Sequence, residues 1–309
     1  MKKLTNSSVW YQKYQPQTVE DLILPAELKE KLLQSVKTQK FQHMLLCSNT
    51  GGTGKSATCN AILKDINGEA LWINASMENG IDVLRGKIAK FAASSSFDDN
   101  IKVVVMDEFD NMSQSAMSAF RGFLDEFGDN CLFIFTCNYK EKIIEPLLTR
   151  LQVIDYNNFK KEEMVKEIFT RLKFILENEE ISYEAKDLVP VINTYYPSIR
   201  SMIGALQKHC FNGTFKISEA DLDDTNVFGK IANLMTPGTF TEMIAEVNKI
   251  NSPEGMYGYL YKNYTELFKP EGIPTAIVTI AKYQHMSSSV RDKNLNLGAC
   301  LTELLRVKK

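Results

Sequence analysis

Cys47-Ser48-Asn49-Thr50-Gly51-Gly52-Thr53-Gly54-Lys55-Ser56, continued by ATCN to Asn60, is the stretch on which the fold is decided. The apolar run His43-Met44-Leu45-Leu46 before it has the length of a buried strand. Ala61-Ile62-Leu63-Lys64 after it continues as a helix. Strand, glycine-rich loop and helix in that order make the setting of a phosphate-binding loop. Backbone N–H groups close around phosphate there, and the new helix adds its positive end. Lys55 is placed to reach β- and γ-phosphates, and the Ser56 hydroxyl to ligate Mg²⁺. In the pattern G-x-x-x-x-G-K-[ST], Gly54, Lys55 and Ser56 fit, while Asn49 stands at the first glycine. Asparagine is the next best residue at left-handed backbone angles, so the loop can survive this change. Taken alone, the loop could also be an ordinary strand-to-helix turn.

Further strands and helices alternate around this loop. Leu71-Trp72-Ile73 reads as a short strand ending in NASMENG, and Ile81–Ala93 as an amphipathic helix. Its apolar positions Ile81, Leu84, Ile88 and Phe91 leave Arg85, Lys87 and Lys90 on other faces. Val103-Val104-Val105-Met106 has the composition of a buried parallel strand. Asp107 and Glu108 stand at its C-terminal end, where open α/β sheets bind ligands. One carboxylate there can hold Mg²⁺ and the next can polarise a water. A helix over Ser113–Phe127 leads to the strand Leu132–Thr136, closed by Cys137-Asn138. Asn138 can bond a γ-phosphate or a lytic water, or cap the next turn. Val153–Tyr156 is the last strand. This rhythm predicts an α/β fold, a parallel sheet covered by helices on both faces.

Beyond Asn158 the strands are expected to stop. Helices are read over 160–179, 182–193 and from Ile199 to about Cys210, forming a small helical domain. From about Asn226 a second helical region begins, with Pro237, Pro253 and Pro274 marking helix starts. Its apolar positions Phe240, Met243, Ile244, Val247 and Ile250 suit a bundle or a collar. The expected domains are therefore 1–157, 158–225 and 226–309. Before the loop, residues 26–38 form a helix by the spacing of Leu28, Leu32, Leu33 and Val36. WYQKYQPQTVEDLILP (10–25) is an arm with turns at Pro16 and Pro25.

Composition bounds the function. The 309 residues are 44% apolar and 24% charged with a net charge of -2, so any nucleic-acid site must be a local basic face. The six cysteines show no C-x-x-C pair, which reads as reduced core residues, and His43, His209 and His285 are isolated. No apolar run is long enough to span a membrane and the basic N-terminus lacks the apolar core of a signal peptide. A cytoplasmic location is expected.

Several of these stretches together resemble one family, the AAA+ clamp-loader ATPases, which includes replication factor C small subunits and the large clamp-loader subunit of T-even-type phages. WYQKYQP is similar to the family's W-x-x-K-Y-R-P box, with Gln15 for the arginine. NASMENGIDVLRGKIAKFA resembles the block N-A-S-x-x-x-G-I-D-x-x-R-x-x-I-x-x-F-A, DEFD the Walker B motif, and PSIRSMIGALQ the sensor-2 helix. Thr149-Arg150-Leu151 stands where the family has Ser-Arg-Cys. The resemblance spans roughly residues 8 to 210, and NFKKEEM with FAASSSFDDNIKVVV favours the phage branch. The alternative readings are another AAA+ DNA-remodelling ATPase and a replication factor C small subunit of a cellular organism.

The resemblance implies an AAA+ P-loop domain, a helical lid and a C-terminal helical collar. It implies ATP and Mg²⁺ as ligands. Tyr11, Gln12, Lys13, Tyr14 and Ile23 would line the base and ribose pocket, and Gly52, Thr53, Gly54, Lys55, Ser56 and Ala57 would wrap the phosphates. Asp107 with Ser56 would organise Mg²⁺, Glu108 would activate water, and Asn138 would be sensor 1. Arg200 would be sensor 2, and Arg150 an arginine finger offered to a neighbouring subunit; a surface salt bridge and a solvated helix position are the plain alternatives. The implied partners are a sliding clamp, a clamp-loader small subunit, other copies of the chain (four large with one small) and primer–template DNA. Arg85, Lys87, Lys90 and the helix start at Ser113 would face that DNA, or form a solvated charged face. Phe97 would be a clamp contact or a core residue. No membrane partner is implied.

Overall fold

The apolar runs become five parallel strands, and their period-two alternation builds both sides of the core. In the computed structural model, which describes residues 9–77, 81–94, 100–217, 224–248, 250, 253–287 and 290–309, β1 is Met44–Cys47, β2 Glu69–Asn74, β3 Lys102–Asp107, β4 Cys131–Cys137 and β5 Gln152–Asp155. Their order is β2-β3-β4-β1-β5. Successive side chains point to opposite faces. Leu45, Cys47, Val104, Met106, Phe133 and Phe135 therefore pack on one side with Leu84 and Ile88 of α4 (Ile81–Ala93) and Met117, Phe120 and Phe123 of α5 (Gln114–Phe127). Met44, Leu46, Val103, Val105, Leu132 and Ile134 pack on the other with Leu32 of α2 (Ala26–Thr38) and Cys59, Ala61 and Ile62 of α3 (Lys55–Asp65). Central strands covered on both faces must be apolar throughout, which is why they read as unbroken runs.

The chain divides into two compact units, Met1–Lys216 and Ile217–Lys309. The first also contains α1 (Trp10–Lys13), the short α6 (Glu145–Leu148), α7 (Lys161–Asn178), α8 (Leu188–Tyr195) and α9 (Ile199–His209). The helix expected over 182–193 begins only at Leu188. Ser182 is instead extended, its N–H donating to Gly213 O (2.9 Å) and its carbonyl accepting from Phe215 N–H (2.8 Å). Those partners belong to a hairpin, β6 (Cys210–Phe211) and β7 (Thr214–Phe215), in a region expected to hold no strands. Asn212 and Gly213 both have positive φ, the turn that an Asn-Gly pair favours. Tertiary pairing has overridden the helical pattern of the segment.

The second unit is helical: α10 (Asp224–Asn233), α11 (Phe240–Val247), α12 (Glu254–Lys262), α13 (Tyr264–Leu267), α14 (Ile273–Ser287) and α15 (Lys293–Leu304). Met243, Val247, Met256, Tyr257, Leu260, Phe268, Leu297 and Leu301 form its core. Buried Asn296 donates to the Tyr257 hydroxyl (2.8 Å) and to Tyr283 O (2.9 Å). Phe240, expected on the apolar face, is 39% exposed: at the first position of α11 it precedes the buried stripe. Among the described residues no helix is long and apolar enough to cross a membrane.

Lys102, at the start of β3, is 6% exposed and donates to no carboxylate among the described residues. Its ammonium donates to Phe91 O (2.8 Å), to Ser94 Oγ (3.0 Å) and to Ser94 O, closing the C-terminal end of α4. Lys102→Ala strands these acceptors, and we expect it to lower unfolding free energy by about 2–3 kcal/mol in chemical denaturation. A change under about 0.5 kcal/mol would mean that water replaces the ammonium at no cost.

Candidate nucleotide-binding site

Because the strands are parallel, their C-terminal ends share one edge of the sheet. β4 lies between β3 and β1. The loop after β1, the acids after β3 and Asn138 after β4 are thereby neighbours, although the chain separates Lys55 from Asn138 by 83 residues. The Lys55 ammonium donates to Asn138 Oδ1 (3.0 Å) and to Ser48 O (3.0 Å). Burial pushes Lys55 below the ordinary lysine range, and the nearby Asp110 and Asp107 act in the opposite sense. A bound triphosphate would reinforce the protonated form.

The loop borders a cleft lined by Tyr11, Tyr14, Ile23, the run Gly52–Ala57 and Arg200. Positive φ falls at Gly52 (80°) and Gly54 (116°). Asn49 is not in that region; an ordinary φ at the first motif position explains why a non-glycine residue serves. Asn49 instead exchanges hydrogen bonds with Asn157, its N–H donating to Asn157 Oδ1 at 3.1 Å. Gly52 is also a close-approach residue. Its carbonyl accepts from Arg200 N–H at 3.2 Å, and a Cβ there would meet Arg200 Cβ and Ser198 Oγ at 2.7 Å. The start of α9, capped by Ser198, thus seats directly on the phosphate loop. The Arg200 guanidinium lies 5.7 Å from the Tyr11 ring centroid.

A triphosphate fits what these residues leave open. Thr53 lines the cleft, and its buried hydroxyl has no hydrogen-bond partner among the described residues, a demand that a phosphate oxygen can meet. A divalent ion needs more than the protein. Among the described residues no group of three His, Cys, Asp or Glu side chains could hold one. Ser56 and Asp107 would share Mg²⁺ with phosphate oxygens.

Gln12 and Lys13, expected in the pocket with Tyr11 and Tyr14, are not among its lining residues. The segment is helical, so residues three apart share a face and the two between them turn elsewhere. Lys13 pairs with Glu179 at 2.7 Å. Arg171 of α7, Asp21, Asn60, Tyr156 and Ile203 line the cleft without having been singled out. Arg171 donates to Tyr14 O at 2.7 Å, and burial lowers its pKa. A lone arginine in the apolar run IFTRLKFIL was the available signal for it.

The acidic segment is tied to the end of β4. Buried Asp110, the last residue of DEFD, accepts from Asn138 N–H and Tyr139 N–H, both at 3.2 Å. Glu108 has left-handed angles, φ 54° and ψ 40°. For a side-chain-bearing residue this costs on the order of 1–3 kcal/mol and persists only where its surroundings impose it.

Arg150 is not at this edge. It precedes β5, whose first residue Gln152 pairs with Met44, the start of β1; about 10 Å of strand separates that end from the phosphate loop. Its guanidinium is held by Asp125 Oδ1 (3.3 Å) and Pro146 O (2.9 Å) and stays 34% exposed. On α4, Arg85, Lys87 and Lys90 are exposed, with Arg85 paired to Glu126 at 3.1 Å and its guanidinium near the Phe123 ring. Ser113 caps α5, accepting from Ala116 N–H at 3.2 Å. Phe97 lies outside the described residues.

Residues 44–158 match the model of the ATPase family associated with various cellular activities (AAA). The chain is 31% identical over 260 residues to the replication factor C small subunit of Saccharolobus solfataricus, covering 81% of this chain and 77% of that one. It is 35% identical over 207 residues to the sliding-clamp-loader large subunit of Escherichia phage RB69 (65% of this chain, 64% of that one). The counterpart from Enterobacteria phage T4 is 34% identical over 207 residues, 65% of either chain. Among solved structures, the Thermotoga maritima RuvB Holliday junction branch migration motor superposes with a TM-score of 0.55 at 14% identity, covering 76% of this chain and 85% of that one. At that identity the likeness concerns the fold alone.

Proposed function

The chain belongs to the clamp-loader ATPases of the AAA family, and from that premise we propose that it is the motor subunit of a sliding-clamp loader, opening a DNA polymerase sliding clamp when ATP binds and releasing it on primer–template DNA when ATP is cleaved. The observation behind this is the separation of Arg150 from its own phosphate loop by the length of β1 and β5. A finger on the far end of the sheet serves a neighbour's nucleotide, so each site is complete only at a subunit boundary. ATP then favours the assembled ring or spiral, and hydrolysis loosens it.

In this reading Lys55 and the N–H groups of Gly52–Ala57 hold the phosphates, and Tyr11, Tyr14 and Ile23 hold the base and ribose. Ser56 and Asp107 would hold Mg²⁺, which would supply charge neutralisation at the phosphates. Glu108 orients and polarises the attacking water, and Asn138 reads the γ-phosphate through its contact with Lys55. Arg200 reaches the same γ-phosphate from residues 158–225, the lid, and 226–309 form the collar between subunits. Arg85, Lys87, Lys90 and the start of α5 meet DNA phosphates, which give affinity without base readout. Copies of the chain, four by resemblance, assemble with one small subunit.

We expect ATP turnover of the assembled loader to rise at least about ten-fold when clamp and primed DNA are both present. Steady-state phosphate release with each component omitted in turn tests this. Turnover indifferent to both would leave an AAA ATPase with a different client.

A further inference from the structure

One hydroxyl joins the two acids of the site. Thr136 of β4 is 1% exposed. Its Oγ1 donates to Asp107 Oδ1 at 2.5 Å and accepts from Glu108 N–H at 3.1 Å. The donor and acceptor roles are both forced, since a carboxylate can only accept and an amide N–H can only donate. Glu108 is the residue whose backbone is left-handed, and its N–H is the group that Thr136 holds. Two positions beyond Thr136 on the same chain, Asn138 Oδ1 takes the Lys55 ammonium.

From this geometry we infer that Thr136 is the positioning residue of the hydrolytic site, holding the metal-organising Asp107 and the water-activating Glu108 in register with each other through one buried hydroxyl. The inference rests on the roles proposed above for those two acids. Thr136 is not among the residues that line the cleft. It acts by keeping the Asp107 carboxylate in one rotamer and by imposing the backbone angles that aim Glu108. A neighbouring strand is a stiffer support for this than a loop would be. The hydroxyl is required for both contacts. The γ-methyl is not, so serine should serve and valine, of nearly the same shape, should not.

The test uses the full-length chain in its assembled form, comparing wild type, Thr136→Ser, Thr136→Val and Thr136→Ala with Lys55→Ala as the reference for a disabled phosphate site. ATP affinity is read with a fluorescent analogue, and turnover is followed across a Mg²⁺ titration. We expect Thr136→Val to keep affinity within about three-fold, lose at least about ten-fold in kcat and need more Mg²⁺ for half-maximal rate, the loss of one hydrogen bond to a charged group being worth about a decade. Thr136→Ser should recover kcat to within about three-fold of wild type. A Thr136→Val enzyme with wild-type kcat and Mg²⁺ response overturns the inference, as does a serine variant no better than valine. Should valine fail to fold, the same comparison between alanine and serine decides. If wild type is no faster than Lys55→Ala, the ATPase reading fails and this one with it; if wild type is faster and Thr136→Val is unchanged, only this one fails.

Discussion

Arg150→Ala is expected to leave ATP affinity within about two-fold of wild type while lowering turnover of the assembled complex by about 10³-fold or more, the scale of an arginine finger. The argument is one of distance. Gln152 opposes Met44, so Arg150 lies beyond the N-terminal end of β5 while the phosphate loop begins at the C-terminal end of β1. About 10 Å of strand lies between that end of the sheet and the loop. In the single chain the guanidinium rests on Asp125 and Pro146 O, an exposed ion pair contributing little to stability. Transfer to a neighbour's triphosphate therefore costs little, and the substitution should not unfold the protomer. Mixing supplies the sharper measurement. Lys55→Ala protomers carry an intact finger and an empty site, while Arg150→Ala protomers carry a filled site and no finger. Mixed assemblies should hydrolyse faster than either variant alone. Equal rates for Arg150→Ala and wild type, or no recovery on mixing, would remove the finger from the mechanism.

Lys55→Ala acts at the other end of the same reaction. It should weaken ATP binding by about 100-fold, the equivalent of losing two charge-assisted hydrogen bonds, and leave turnover at background. The ammonium is already tethered at 3.0 Å to both Ser48 O and Asn138 Oδ1, so it is held before a ligand arrives. Preorganisation of this kind makes the loss fall on binding as well as on rate. Isothermal titration with a non-hydrolysable ATP analogue reads the affinity, and a melting curve controls for folding. Affinity within about three-fold of wild type would mean that the cleft lined by Gly52–Ala57 does not hold the phosphates.

The unbroken apolar runs at His43–Leu46 and Val103–Met106 foretold strands buried on both faces, but not which residue joins which side, because no polar position marks a face. Gly54-Lys55-Ser56 carried its meaning locally, since loop geometry and helix start depend on neighbouring residues alone. The Asn49 position shows where such reading fails. The motif letter suggested a left-handed residue, yet the turn bends at Gly52 and Gly54, and Asn49 is held by Asn157 from 108 positions away. Gln12 and Lys13 fail for a related reason: the box was legible as a string, but a single helical turn chooses which of its residues face the cleft.

The chain order of phosphate loop, acids, Asn138 and Arg150, and the strand–helix alternation that carries them, were determined by sequence, because periodicity and motif spacing are properties of nearby residues. The placing of β4 between β3 and β1, the seat of α9 on Gly52 and the position of Arg171 at the cleft were decided only by tertiary structure. So was the grip of Asp110 and Thr136 on their neighbours. These depend on which strands become adjacent and which buried polar groups must then find partners. No window of contiguous residues contains that information, because the partners stand tens to hundreds of positions apart.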